Sequence, residues 1–154
     1  RQVFANMQHA YNGLSDGMRT IIEGLRTVHD LSKLADFKNR DPKSTAKIVA
    51  DNPPVEHPLV WTHPDSGRKS LFLSDQIAYR ITGMSEAESR PILDYLLGQA
   101  TRIENTYRHQ WLAGDLVFWD NRSVMHFAPE DYDMSDPTNV RYMHRTTLAG
   151  PPVS

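Results

Sequence analysis

Three side chains near the end of the sequence could do chemistry together: His126, Arg141 and Arg145. His126 stands in the strand-like run Val124-Met125-His126-Phe127, so Val124, His126 and Ala128 share one face. A neutral imidazole can bind a divalent metal, and the ordinary histidine pKa near 6.5 leaves it mostly neutral at pH 7. Arg141, Met143 and Arg145 share one face of a closing strand in the same way. Two guanidinium groups on one enclosed face require anionic partners. Arginine grips a carboxylate through paired N–H donors, at roughly 1.5–3 kcal/mol per charged hydrogen bond. The chemistry this pattern offers is a metal ligand beside an anion site. A plainer reading also stands: a strand histidine as a packed core or rim residue, and arginines paired with acids such as Asp131 or Asp133.

The elements that must position these residues run from Gly114 to Leu148. Leu116-Val117-Phe118-Trp119 is apolar on both faces, which predicts a central strand. Asp120-Asn121-Arg122 predicts a turn, Val124 to Phe127 its partner strand, Glu130 to Asn139 an acidic loop, and Val140 to Leu148 the last strand. Upstream, Phe4, Met7, Tyr11 and Leu14 recur at helical spacing, and Gly13 can end that helix in a left-handed conformation. Ser15 is a fair N-cap for a second helix burying Met18, Ile21, Ile22 and Leu25. Residues 32–55 are charged and proline-rich, a connection or a mobile lid, with Asp41-Pro42 opening a short helix to about Ala50.

His57 to Thr62, a Pro-Asp-Ser-Gly turn, and Arg68 to Leu73 predict a hairpin. Ser74 to Gly83 reads as a connection. Ser85 and Glu88 form a capping-box pattern for a helix to about Gln99, burying Ile92, Leu93, Leu96 and Leu97 and kinked at Pro91. Thr101 to Trp111 is strand-like, with Ile103, Asn105, Tyr107 and His109 on one face. His9, His29, His57 and His63 are expected in surface or structural roles. Short strands with turn signals point to a sandwich or jelly roll with flanking helices.

The 154 residues suffice for one domain, 1–154, with a real core. With 17 basic and 19 acidic residues the formal charge is −2, so no nucleic-acid or membrane-surface partner is expected. No apolar run approaches the roughly 18 residues of a membrane span. There are no cysteines, which removes disulfides, thiolate ligands and a cysteine nucleophile, and no signal-peptide pattern opens the sequence. A cytoplasmic protein is expected. Because the first residue is Arg1 and not Met, the sequence is expected to begin mid-protein.

The run Asp115-Leu116-Val117-Phe118-Trp119-Asp120-Asn121-Arg122-Ser123-Val124-Met125-His126 resembles the signature of the taurine dioxygenase family of Fe(II)- and 2-oxoglutarate-dependent oxygenases. Arg141 to Thr147, His57 to Val60, Gly67 to Phe72, and the opening Phe4-Ala5-Asn6-Met7 through His29-Asp30 are similar to the same family, in order. The resemblance implies an α+β fold that is mainly β, with a double-stranded β-helix (jelly-roll, cupin-like) core of which this chain holds the C-terminal part. It implies that His126 is the distal histidine of a two-histidine, one-carboxylate iron site. It implies that Arg141 grips the far carboxylate of the cosubstrate 2-oxoglutarate, that Arg145 binds the anionic group of the substrate, and that Ile77 lines the substrate pocket. Trp119 and Asn121 are implied to be packing and turn residues beside the site.

The implied function is O2-dependent hydroxylation of a small anionic substrate (a sulfonate, alkyl sulfate or aryloxy acid), with release of succinate and CO2. A homo-oligomer is the expected assembly. The sequence departs from the family in two places. No His-x-Asp or His-x-Glu pair is present apart from His63 and Asp65, which belong to the hairpin turn. Gln2 falls where the family has a threonine for 2-oxoglutarate. The alternative is a jelly-roll module that binds a small anion without catalysis, or an inactive fragment lacking the upstream iron ligands.

Overall fold

The structure is a computed structural model that describes residues 1–34, 41–129, 131, 136, 142–148 and 150. Two three-stranded antiparallel sheets and a hairpin are held together by helices. β1 (Gln2–Asn6) lies between β7 (Thr106–His109) and β8 (Val124–Phe127) in the first sheet. β2 (Arg26–His29) lies between β3 (Val55–Pro58) and β6 (Ala78–Ile81) in the second. β4 (Val60–Thr62) and β5 (Lys69–Leu71) form the hairpin. The helices are α1 (Met7–Asn12), α2 (Asp16–Ile22), α3 (Pro42–Asp51) and α4 (Glu86–Ala100).

Local signals explain the helices. Asn6, Ser15, Asp41 and Ser85 each accept a backbone N–H from the first turn of the helix they precede. Ser85 and Glu88 complete a reciprocal capping box, and α4 runs on through Pro91. One contiguous core joins Met7, Ala10 and Tyr11 of α1, Ile22 of α2, Leu59, Leu71, Ile81, and Leu93 and Leu96 of α4. Fully burying a Leu or Ile stabilises by about 1.5–3 kcal/mol, so this cluster is the mechanical base on which both sheets rest.

Several expectations are corrected. The single opening helix is a strand followed by a helix. The spacing of Phe4, Met7, Tyr11 and Leu14 runs across the joint, but Gln2–Asn6 gains ladder partners on both sides. Such pairing overrides local pattern. Gly13 has φ −77° and not a left-handed conformation. Of the expected α2 face, Ile22 is buried but Ile21 is 58% exposed. The hairpin is shorter than expected, because His57 belongs to β3 and pairs with Thr27 of β2. The Ser74–Gly83 connection contains β6. Residues Ile103–Asn105 form a 3-10 turn, so Ile103 is 87% exposed while Asn105 is buried and donates to the Gln99 carbonyl at 2.7 Å.

Two corrections bear on the site. Leu116 to Trp119 is no central strand: it pairs with no strand among the described residues, and Leu116 and Phe118 are 77% and 82% exposed. Residues 142–148 carry no regular secondary structure, so the closing strand is not formed there. Strand character needs a partner ladder as well as an apolar run, and neither segment finds one among the described residues. The expected lid falls partly on residues 35–40, which lie outside the described residues, and partly on α3, which has no buried residue. Among the described residues no helix is long and apolar enough to cross a membrane.

Candidate metal and anion site

His126 is carried by β8, its Cα paired with that of Phe4 in β1, while Phe4 is paired on its other side with Tyr107 of β7. Gln2 is paired with His109 on the same ladder. Residues directly opposite one another point to the same face, so Gln2, Phe4, Tyr107, His109 and His126 line one face of this sheet. Trp119 lies over it. Its ring centroid is 5.3 Å from that of Phe4 and 5.1 Å from that of His126, and its Nε1–H donates to Asn121 Oδ1 at 2.8 Å. Trp119 and Asn121 therefore stand beside the histidine, as packing and turn residues.

His126 keeps an exposed edge. Packing on its other side removes water, and this desolvation, with the positive charge of Arg145 second, holds its pKa below 6.5. The ring is thus neutral at pH 7 with a lone pair available, the form a metal requires.

The turn that delivers β8 is built around Asp120. Its Oδ1 accepts from the Arg122 backbone N–H at 3.0 Å and from Arg122 Nε at 3.3 Å, and its Oδ2 accepts from Ser123 Oγ at 3.1 Å. His63 Nε2 lies 3.6 Å from the same carboxylate. Burial pushes the Asp120 carboxyl up, but these donors and the Arg122 charge hold it below the usual carboxylate range. Arg122 sits 5.0 Å over the Trp61 ring, the Ser70 hydroxyl donates to the Arg122 carbonyl at 3.4 Å, and the Met7 N–H donates to the Ser123 carbonyl at 3.0 Å. The hairpin and α1 together fix the turn, and through it the start of β8.

Arg145 lines a cleft of about 770 Å³. Val117, Phe118 and Trp119 give this cleft an apolar wall, and His63, Arg122 and Arg145 give it hydrogen-bond donors, the first two of which face the Asp120 carboxylate that also lines it. Such a lining suits a small anion with an apolar body. Sequence reasoning put His126 and Arg145 in one site; the charge of Arg145 reaches the His126 ring, but His126 does not line the cleft that Arg145 lines. Arg141 lies outside the described residues. Ile77 stands in the turn before β6, where its carbonyl accepts the Asp30 N–H at 2.9 Å, and it is not part of the wall that Arg145 lines. Among the described residues no three His, Cys, Asp or Glu side chains gather to hold a metal ion. The described residues thus do not complete an iron site around His126.

Phe4 and the Asp120–His63 contact were missed from sequence. Phe4 was hidden by the helical spacing, and the only local sign of β1 was Val3-Phe4, two strand-favouring residues in a row. Nothing local marks a contact between residues 63 and 120.

The model of the family described as taurine catabolism dioxygenase TauD, TfdA family matches residues 1–147, and the chain belongs to that family. It is 37% identical over 156 residues to the alpha-ketoglutarate-dependent sulfate ester dioxygenase of Pseudomonas putida, covering 96% of this chain and 50% of that protein. It is 40% identical over 145 residues to the alpha-ketoglutarate-dependent 2,4-dichlorophenoxyacetate dioxygenase of Cupriavidus pinatubonensis, covering 94% of this chain and 49% of that protein. A crystal structure described as AAD-2 in complex with Mn(II) and N-oxalylglycine is 37% identical, with a TM-score of 0.75, and covers 88% of this chain and 53% of that one. The chain spans about half the length of the relatives it matches.

Proposed function

We propose that this chain is the part of an Fe(II)- and 2-oxoglutarate-dependent dioxygenase that supplies the distal histidine and the anion-binding arginines, with β7, β1 and β8 forming part of a jelly-roll core. The observation that supports the reading is an imidazole with an exposed edge, held neutral in part by the charge of Arg145, and packed against Trp119, which lines an apolar-walled cleft together with Arg145. In this reading His126 is an iron ligand, Arg145 binds the substrate anion, and Arg141 the far carboxylate of 2-oxoglutarate. The overall reaction inserts one oxygen atom of O2 into a substrate C–H bond while the other oxidises 2-oxoglutarate to succinate and CO2. Two relatives are named for a sulfate ester and an aryloxyacetate, each an anionic group on a less polar body. The substrate class proposed is therefore a small organic anion, namely a sulfate ester, a sulfonate or an aryloxy acid.

The test is aerobic incubation of the whole dioxygenase of which this chain is proposed to be part with 2-oxoglutarate, Fe(II) and one member of each substrate class, assayed for succinate. Succinate that requires both Fe(II) and substrate, and that is lost in His126→Ala, is the expected result; equal turnover in His126→Ala contradicts the assignment. A second reading, a small-anion-binding module without catalysis, is favoured by the lack of any three gathered His, Cys, Asp or Glu side chains among the described residues. It predicts saturable binding of an alkyl sulfate, abolished in Arg145→Gln, with no succinate under any condition.

A further inference from the structure

Leu116 to Trp119 carries the aromatic ring that packs on His126, yet the segment joins no strand ladder among the described residues, and Leu116 and Phe118 are largely exposed. Something else must set the position of Trp119. Downstream, the Asp120 turn does so. Upstream, Asp115 is held by a side chain from the opposite edge of the sheet. Its Oδ2 lies 3.1 Å from His109 Nε2 and accepts the Leu112 N–H at 2.9 Å. The Asp115 N–H returns a bond to the Leu112 carbonyl at 3.1 Å, closing a tight turn in which Gly114 takes φ +91°.

His109 is itself oriented. Its Nδ1 lies 3.3 Å from the Tyr107 hydroxyl, and its ring meets the Trp111 ring edge-on at a centroid distance of 4.6 Å. A Tyr107 O–H donating to Nδ1 selects the tautomer whose Nε2–H donates to Asp115. His109 stands opposite Gln2, on the sheet face that carries His126.

We propose that His109 is a positioning residue: by anchoring Asp115 it fixes the upstream end of the 115–119 segment, and so holds Trp119 against His126. The importance of Trp119 for metal chemistry rests on the iron-ligand reading of His126, but the anchoring does not. His109 and the Asp120 turn clamp the segment at its two ends. Asp115 and Trp119 are four residue steps apart, about 13 Å of extended chain. A released end lets the indole lift from the imidazole while the rest of the sheet keeps its ladder.

The experiment follows the tryptophan indole N–H signals of the metal-free 154-residue chain by ¹H–¹⁵N NMR, the Trp119 signal being assigned by its loss in Trp119→Phe. In His109→Phe, which keeps a ring against Trp111 but removes the donor, the Trp119 indole N–H exchanges with solvent roughly tenfold faster. The Trp61 indole, on the hairpin strand β4 and buried, keeps its rate and reports that the chain remains folded. In His109→Gln the amide donor takes the place of Nε2–H and the Trp119 rate returns to within about twofold of the parent. An unchanged Trp119 rate in His109→Phe overturns the proposal. So does equal acceleration of Trp61, which makes His109 a general fold determinant, and so does a His109→Gln rate matching that of Phe. Mn(II) added afterwards scores the iron reading separately. If it leaves the His126 signals of the parent unbroadened, that reading fails while the indole result stands.

Discussion

Two histidine–aromatic clusters sit on antiparallel strands of this chain, and they differ in one respect that decides their chemistry. In the second sheet, His29 is 8% exposed. It stacks on Phe72 at 5.6 Å, meets His57 edge-on at 5.0 Å, and shares a 3.0 Å hydrogen bond with the buried Thr27 hydroxyl. Burial, then the neighbouring His57, lowers its pKa to about 4. In the first sheet, His126 also packs on aromatic rings and is also held neutral, by desolvation and then by Arg145, yet it keeps an exposed edge, and its neighbour Trp119 lines a cleft. A lowered pKa alone therefore does not mark a site. His29 is neutral because it is enclosed, and its Nε2 is already engaged. His126 is neutral and still accessible, which is the state a metal ligand needs.

Acid titration separates the two most strongly. The unfolded chain takes up a proton at His29 near pH 6.5, while the folded chain resists until about pH 4. Folded stability is thus fully present above about pH 6.5 and is lost as pH falls toward 4. The expected loss is on the order of 3 kcal/mol, flat below that window, and measurable by urea melts across the range. His29→Gln should remove most of this dependence; an equally steep profile in that variant would place the acid sensitivity elsewhere.

Thr27→Val should cost about 1–3 kcal/mol by leaving the buried imidazole nitrogen without its hydroxyl partner. A neutral result by the same melts would mean that the hydroxyl does not hold the ring. His126→Ala should change stability by less than about 0.5 kcal/mol, because an exposed side chain is removed. A cost like that of a core residue would make His126 structural and erase the contrast. The smallest effect belongs to Arg145→Gln. Removing that charge should raise the His126 pKa toward 6.5 and leave His29 unmoved, as read by NMR titration of both rings.

The legible and hidden parts of this fold divide by range. Ser15, Asp41-Pro42 and the Ser85–Glu88 box announced α2, α3 and α4, since caps are local chemistry written within four residues. The Pro-Asp-Ser-Gly turn likewise announced the hairpin. β1, β2 and β6 were hidden. Each is four or five residues long, and each exists because a distant segment supplies its ladder, Gln2–Asn6 between residues a hundred positions away being the clearest case. Leu116 to Trp119 failed in the opposite direction, as a strongly apolar pattern without a partner among the described residues.

At the site, the strand and face of His126 were legible from alternation alone. Trp119 beside the site was implied by the resemblance, whereas the Phe4 packing required the fold, and so did the histidine–carboxylate contacts at Asp115 and Asp120, because nothing in the spacing of residues 63 and 120 or 109 and 115 predicts a contact.

The contrast between the two clusters can be read in one titration. The chain is titrated with Mn(II) in the presence of N-oxalylglycine, the pair named in the related crystal structure, while the imidazole signals of His126 and His29 are followed by NMR. The expected result is paramagnetic broadening of His126 at Mn(II) concentrations that leave His29 sharp. Broadening of His29 first, or of neither ring, would contradict the assignment of His126 as the metal-facing histidine.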